Sequence, residues 1–262
     1  MATGEARRLQ ETDPERRPVA VYGRDGRARW SSLWEGNPRI LTPRQACQND
    51  SHLRLVNGPG CRPYIDYARM ARDFAAVFPG RRLTTKVKDP RLPWRYTSWR
   101  CTPGELYTPR IAPRGYIVVE PHVKAGASPN KDWGWARWQA LVDEIRLPWV
   151  QLGPPGTRLL EGVRHLVTAS FMDACAALLG AKAAVLPEGG LHHAAAALDI
   201  PAVVIFGGMT SPANTGYDAH INLYEPADGD SPCGQRVPCE HCEAAMAAIR
   251  PEAVAAHLEG LP

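Results

Sequence analysis

The apolar positions of this chain fall into two regimes that meet near Arg114. After that point, short apolar runs without polar alternation take turns with helical spacings and tight glycine loops. Tyr116-Ile117-Val118-Val119 is the first such run, followed by a Gly/Ser/Pro/Asn loop and helical spacing from about Trp135 to Ile145. Trp149-Val150-Gln151-Leu152 ends in Gly153-Pro154-Pro155-Gly156. Met172 to Leu179 is helical, Ala183-Ala184-Val185-Leu186 is a strand, and Leu191 to Leu198 is a helix stopped near Pro201. Ala202-Val203-Val204-Ile205-Phe206 is the next strand. Uniformly apolar strands interleaved with helices predict a parallel sheet covered on both faces, a Rossmann-like domain.

Before Arg114 the periodicity is weak and the chain is rich in Arg, Pro and Trp. A short helix around Arg7-Arg8-Leu9 should end before Pro14. Pro18 to Tyr22 reads as a buried strand halted by the turn Gly23-Arg24-Asp25-Gly26. Helical spacing returns from Asp66 to Phe78. Between Lys86 and Arg114, five prolines with Trp94 and Trp99 suggest an irregular surface segment. A linker at about 108–114, around Pro109 and Pro113, then divides the chain into residues 1–112 and 113–262.

Composition narrows this picture a little. With 262 residues, 44% of them hydrophobic and a formal net charge of +4, the chain has ample core and is neither coiled coil, collagen-like nor fully disordered. Its five lysines stand at 86, 88, 124, 131 and 182, so Arg carries the basic excess, which is compatible with an anionic substrate. So small a charge does not demand nucleic acid. No run of about 18 apolar residues and no apolar segment near the amino terminus is present, which predicts a cytoplasmic protein. Seven cysteines, an odd number, argue against a disulfide framework there.

In open α/β sheets, ligands bind where strand carboxyl ends meet helix amino termini. Three loops answer that description: His122 to Trp133, the stretch after Gln151-Leu152-Gly153, and Pro187-Glu188-Gly189-Gly190-Leu191-His192-His193. In the third, two glycines allow close backbone approach before a helix begins, and such a start favours phosphate by about 0.3–1 kcal/mol per charge when exposed. Glu188 would repel phosphate but suits ribose or sugar hydroxyls. A tight turn whose glycines only permit packing explains the same residues. Lys131 is either the cation facing a diphosphate or a solvated loop lysine. Trp133, Trp135 and Trp138 cannot share one helix face, so core packing is expected over sugar stacking. Dinucleotide, Walker A and nucleophile-elbow fingerprints are all absent. Cys233, Cys239 and Cys242 with His241 lack the second paired knuckle usual in a structural zinc site, so a redox or purely structural role is expected and no metal.

Taken in order, Pro129-Asn130-Lys131-Asp132-Trp133, Gln151-Leu152-Gly153, the stretch from Glu188 to Pro201, and Phe206-Gly207-Gly208-Met209-Thr210-Ser211-Pro212 resemble glycosyltransferase family 9, the ADP-heptose:lipopolysaccharide heptosyltransferase series. Cys239-Glu240-His241-Cys242 and Ile249 to Val254 resemble that family's terminal Cys-rich loop and helix. The resemblance covers about residues 114–262. Arg24 to Arg27, Trp34 to Pro38 and the compact size are similar to small phage and prophage members.

The resemblance implies a GT-B fold: two Rossmann-like domains with parallel sheets, here with a small amino-terminal one that lacks its usual first strand. It implies inverting, metal-independent transfer of a heptose or related sugar from a nucleotide-diphosphate donor, ADP-linked by default, with no cofactor. Donor contacts fall on Asn130, Lys131, Gly153, Glu188, Gly189, Gly190, His193 and Thr210, with Glu and Gly standing where the family has Asp and Ser/Thr. The family's opening strand and Gly-Asp loop have no counterpart, so either the native start lies upstream, the base lies elsewhere, or transfer does not occur. Glu5 and Asp25 are the nearest candidate bases. The acceptor is open among a glycan, lipopolysaccharide core and a modified nucleic-acid base. A nucleotide-sugar-binding partner subunit without transferase activity is the alternative, and an epimerase on the same fold ranks third.

Overall fold

The computed structural model describes residues 2–23, 25–56, 115–124, 126–225, 232–235 and 237–260. The expected helix at 66–78, the Pro/Trp segment at 86–114 and the linker at 108–114 lie outside these residues.

Each apolar run read from the carboxy-terminal sequence forms a strand. β3 (Tyr116–Val119), β4 (Trp149–Gly153), β5 (Arg164–Val167), β6 (Ala181–Pro187), β7 (Ala202–Phe206) and β8 (Ile221–Tyr224) make one parallel sheet in the order β5-β4-β3-β6-β7-β8. Neighbouring side chains along a strand point to opposite faces, so the largely apolar central strands β3, β4, β6 and β7 feed two cores. Val118, Leu152, Val204 and Phe206 pack under α4 (Phe171–Leu179) and α5 (Gly190–Ala197). Ile117, Val119, Val203 and Ile205 pack under α3 (Trp135–Glu144) and two later helices, α7 (Glu240–Ala248) and α8 (Pro251–Glu259). A one-turn helix, α6 (Pro212–Thr215), lies between β7 and β8. Trp133 and Trp138 sit wholly inside the second core, edge to face, and the Trp133 indole donates to Ile249 O at 2.8 Å. Core packing is thus correct for these two. Trp135 stays half-buried, with the Arg158 guanidinium 4.0 Å above its ring.

The amino-terminal part has its own small parallel pair, β1 (Val19–Tyr22) with β2 (Leu53–Val56). α1 (Ala2–Thr12) ends before Pro14, as expected, and Arg17 closes its end with three bonds to the Asp13 carboxylate. Ala6, Val19, Val21, Trp34 and Ile40 form the core, and α2 (Pro43–Gln48) begins at a Thr42–Gln45 capping box. The expected turn after β1 is present: Gly23 N–H donates to Arg27 O at 2.9 Å, and Tyr22 bridges Ala28. The α/β class with parallel sheets is therefore observed in both parts.

Candidate functional site

The strand order reverses between β3 and β6, which lie side by side at the centre of the sheet. Ligands of open α/β sheets bind outside the carboxyl ends of the strands at such a switch point. The chain leaving β3 reaches Lys131 through the short 3-10 turn Pro129–Lys131, and the chain leaving β6 reaches Glu188 directly. Residues 57 positions apart are thereby joined: Lys131 Nζ forms an ion pair with Glu188 Oε2, and both side chains are mostly buried. Beside them α5 begins, and its first amide groups open toward the same strand end.

The two glycines at that helix start do different work. A Cβ on Gly190 would meet Phe171 Cε2 at 3.1 Å, so the Phe171 ring would have to give by a few tenths of an ångström. A Cβ on Gly189 would meet only Pro187 O, at 3.9 Å, so its backbone faces open space. Packing therefore does not account for Gly189, and its backbone is open to close approach.

The other sequence candidates separate into groups. His193 stands in the first turn of α5 with Nδ1 2.8 Å from Tyr217 Oη. Its neighbour His192 is fully buried within a ring cluster of His193, Tyr217, His220 and Phe206, and this burial holds the imidazole well below its usual pKa. Thr210 is buried in the loop after β7. Gly153 ends β4 with φ 154°, and its carbonyl accepts the Thr168 amide at 2.9 Å. Gln151, from the same motif, is fully buried: its amide donates to Arg158 O at 2.7 Å and accepts Leu160 N–H at 3.0 Å. It shapes the loop beyond β4.

The Asn130 side chain is bonded within the fold. Its amide donates to Val237 O at 2.7 Å and Gln235 O at 3.2 Å, and its oxygen accepts Cys239 N–H at 3.2 Å. Ser128 Oγ adds a bond to Gln235 O at 2.9 Å. Asn130 thus ties the turn that carries Lys131 to the segment before α7. Glu5 lies on α1, and Asp25 is exposed, with Oδ2 accepting Arg29 Nη2 at 2.8 Å.

The sequence reading takes His122 only as the start of a candidate loop and passes over its neighbour Glu120, at the end of β3. Glu120 Oε1 accepts both the His122 amide and, at 2.9 Å, its Nδ1, and the His122 ring leans against Trp135. The Glu-x-His spacing directly after a strand was the available signal.

Lipopolysaccharide heptosyltransferase 1 of Pseudomonas aeruginosa is 32% identical over 122 residues, which cover 42% of this chain and 33% of that protein. The likeness to glycosyltransferase family 9 stands. The chain spans about a third of the length of that relative, and no family model matches it. Among solved structures, the iron-containing dodecameric glycosyltransferase TibC from enterotoxigenic E. coli superimposes with a TM-score of 0.48 at 16% identity, over 61% of this chain and 50% of that one. E. coli heptosyltransferase WaaC with ADP gives 0.43 at 17%, over 80% and 67%. Of the eight positions at which the resemblance places donor contacts, Lys131, Glu188, Gly189 and Gly190 stand together at the switch point. Asn130 shares the turn of Lys131 and His193 the first turn of α5, while Gly153 ends β4 and Thr210 lies in the loop after β7. No helix among the described residues is long and apolar enough to cross a membrane.

Proposed function

We propose that this chain transfers a sugar, a heptose or a related one, from an ADP-linked donor to an acceptor hydroxyl with inversion at the anomeric carbon. The observation that carries the proposal is the Lys131–Glu188 pair set across the switch point beside the start of α5. In the proposed reaction the acceptor oxygen attacks the anomeric carbon as the bond to the diphosphate breaks. A carboxylate from the amino-terminal part, Glu5 or Asp25, takes the acceptor proton. Negative charge grows on the departing diphosphate, where the Lys131 ammonium and the open amides at Gly189 and Gly190 meet it. Glu188 holds Lys131 in place before the donor arrives and accepts ribose or sugar hydroxyls afterwards. In this reading His193 and Thr210 also contact the donor, and Asn130 acts as a positioning residue for Lys131. The donor-binding domain in this reading is residues 113–262, and residues 1–112 form the acceptor side of a GT-B arrangement.

Calorimetric titration of the chain with ADP, GDP and UDP, repeated on Lys131→Ala and Glu188→Ala, tests this. A charge-assisted contact contributes about 1.5–3 kcal/mol, so each variant should weaken binding of the preferred nucleotide roughly 10- to 150-fold while remaining folded. Unchanged affinity in both variants overturns the site, and no binding to the folded parent overturns the function.

One observation favours a second reading, a nucleotide-sugar-binding protein without transfer. Asp25 is held by Arg29 and by the Arg27 amide, which suits a turn carboxylate better than a base. Nucleotide binding without any turnover of ADP-heptose on added acceptors would select it.

A further inference from the structure

The segment between β8 and α7, together with the first turn of α7, has no role in the proposed chemistry, yet it gathers four metal-ligating side chains. Cys233 Sγ lies 3.0 Å from Cys242 Sγ and 3.7 Å from Cys239 Sγ, and Cys242 Sγ lies 3.9 Å from His241 Nδ1. All four donor atoms fall within 4.8 Å of one another. Tetrahedral ligation at about 2.3 Å for sulfur and 2.0–2.1 Å for nitrogen sets ligand–ligand edges of roughly 3.5–3.8 Å, so two of these separations already match and the shortest needs to open by under an ångström. The thiols are free, and Cys233, His241 and Cys242 are buried.

Two features outside the four ligands shape the same point. The Gln235 amide donates to Cys233 Sγ at 3.4 Å, the kind of outer bond that orients a metal thiolate. A Cβ on Gly208 would lie 2.7 Å from both Nδ1 and Cε1 of His241, so the glycine leaves the gap that the imidazole fills. The missing second knuckle is thus made good by His241 from within the Cys-x-x-Cys turn itself.

We propose that Cys233, Cys239, His241 and Cys242 bind one thiophilic divalent transition-metal ion, with zinc the fit to three thiolates and one imidazole, in a closed structural site. Binding releases three thiol protons to solvent and leaves a complex of net charge −1. No electron is transferred. The ion would clasp both loops of the candidate donor site. Cys233 N–H donates to Gly208 O at 2.7 Å and Gly234 N–H to Met209 O at 3.0 Å, next to Thr210, while Asn130 bonds Gln235, Val237 and Cys239, next to Lys131. This clasping of the donor loops rests on the donor-site reading; the metal site does not.

The test is metal analysis of the full chain purified with reductant, then cobalt substitution. One zinc or iron ion per chain is expected, and the cobalt form should show an intense near-ultraviolet thiolate band with the visible bands of a tetrahedral ion. Cys239→Ser should lose about a third of the thiolate band, while Cys175→Ser and Cys47→Ser should leave it unchanged. Stripping the ion should weaken ADP binding about tenfold. A cobalt spectrum of this kind without any ADP binding leaves the metal site standing and removes the donor reading. A folded, reduced chain that takes up no zinc or cobalt, or one isolated metal-free with Cys233 and Cys242 joined as a disulfide, overturns the site.

Discussion

Gly208→Ala is the substitution that most directly probes how the start of α7 is seated against the loop after β7. Nothing in the backbone at Gly208 forbids a side chain, so the cost is packing alone. The new methyl would sit 2.7 Å from two atoms of the His241 ring and 3.2 Å from Cys242 Cα. Ordinary carbon contacts lie at about 3.5–4.0 Å, so the ring or the start of α7 must retreat by roughly an ångström. Overpacking of a close-fitted core costs about 1–3 kcal/mol. At about 2–4 °C per kcal/mol for a chain of this size, the melting temperature should fall by roughly 2–12 °C. The His241→Ala background separates the two contacts. It removes the ring and leaves only the 3.2 Å approach to Cys242, so Gly208→Ala should cost at least about 1 kcal/mol less there than in the parent. Urea unfolding of the four proteins, with a chelator present to keep metal out of the comparison, measures that coupling. Additive free energies, or a Gly208→Ala variant within about 0.5 kcal/mol of the parent, would refute the contact.

Two further outcomes follow from buried polar groups. His192 and His220 are held neutral by burial, with His193, Glu188 and Lys131 also facing His192. Above about pH 6.5 both the folded and the unfolded imidazoles are neutral; below it the unfolded chain takes up protons that the folded one refuses. Stability should therefore decline as pH falls from 6.5, by up to about 1.4 kcal/mol per unit for each histidine, and His192→Gln should remove part of that slope. Urea midpoints that stay flat between pH 5.5 and 7.5 would contradict this. Gln151→Leu leaves Arg158 O and the buried Leu160 amide without their partners, a loss of about 2–4 kcal/mol. Thermal unfolding checks the size, and a loss below about 1 kcal/mol would mean that the loop beyond β4 is held by other contacts.

How far the sequence reveals this molecule depends on how local each signal is. β3, β4, β6 and β7 are legible because central parallel strands are buried on both faces and must be apolar throughout. β5 and β8 are the sheet's two edges. Arg164-His165-Leu166-Val167 and Ile221-Asn222-Leu223-Tyr224 are only partly buried, so no apolar run marks them. β2 carries alternation, but over four residues, too few to register. Among the site residues, the types of Lys131 and Glu188 are readable at their loops, whereas their pairing depends on β3 and β6 being neighbours. The bonds of Asn130 are illegible for the same reason: its three partners lie more than 100 positions away, and no local pattern announces them.

The same distinction explains why the candidate donor loops and the cysteine segment belong to one physical unit. A loop at a strand end is tethered at its ends only, and Lys131 stands twelve residues beyond β3. Such a residue presents one fixed geometry only if something across the fold holds the loop down. Here that support is Asn130 and Ser128 gripping Gln235, Val237 and Cys239, with Trp133 anchored on Ile249 just beyond. Glu188 needs less support, since it leaves β6 directly and its amide bonds Ile205 O on the neighbouring strand. The two halves of the ion pair are thus positioned by different means, one by the sheet and one by the carboxy-terminal segment. Perturbing the cysteine segment should accordingly move Lys131 and spare Glu188, and diphosphate binding should suffer more than contacts to the sugar.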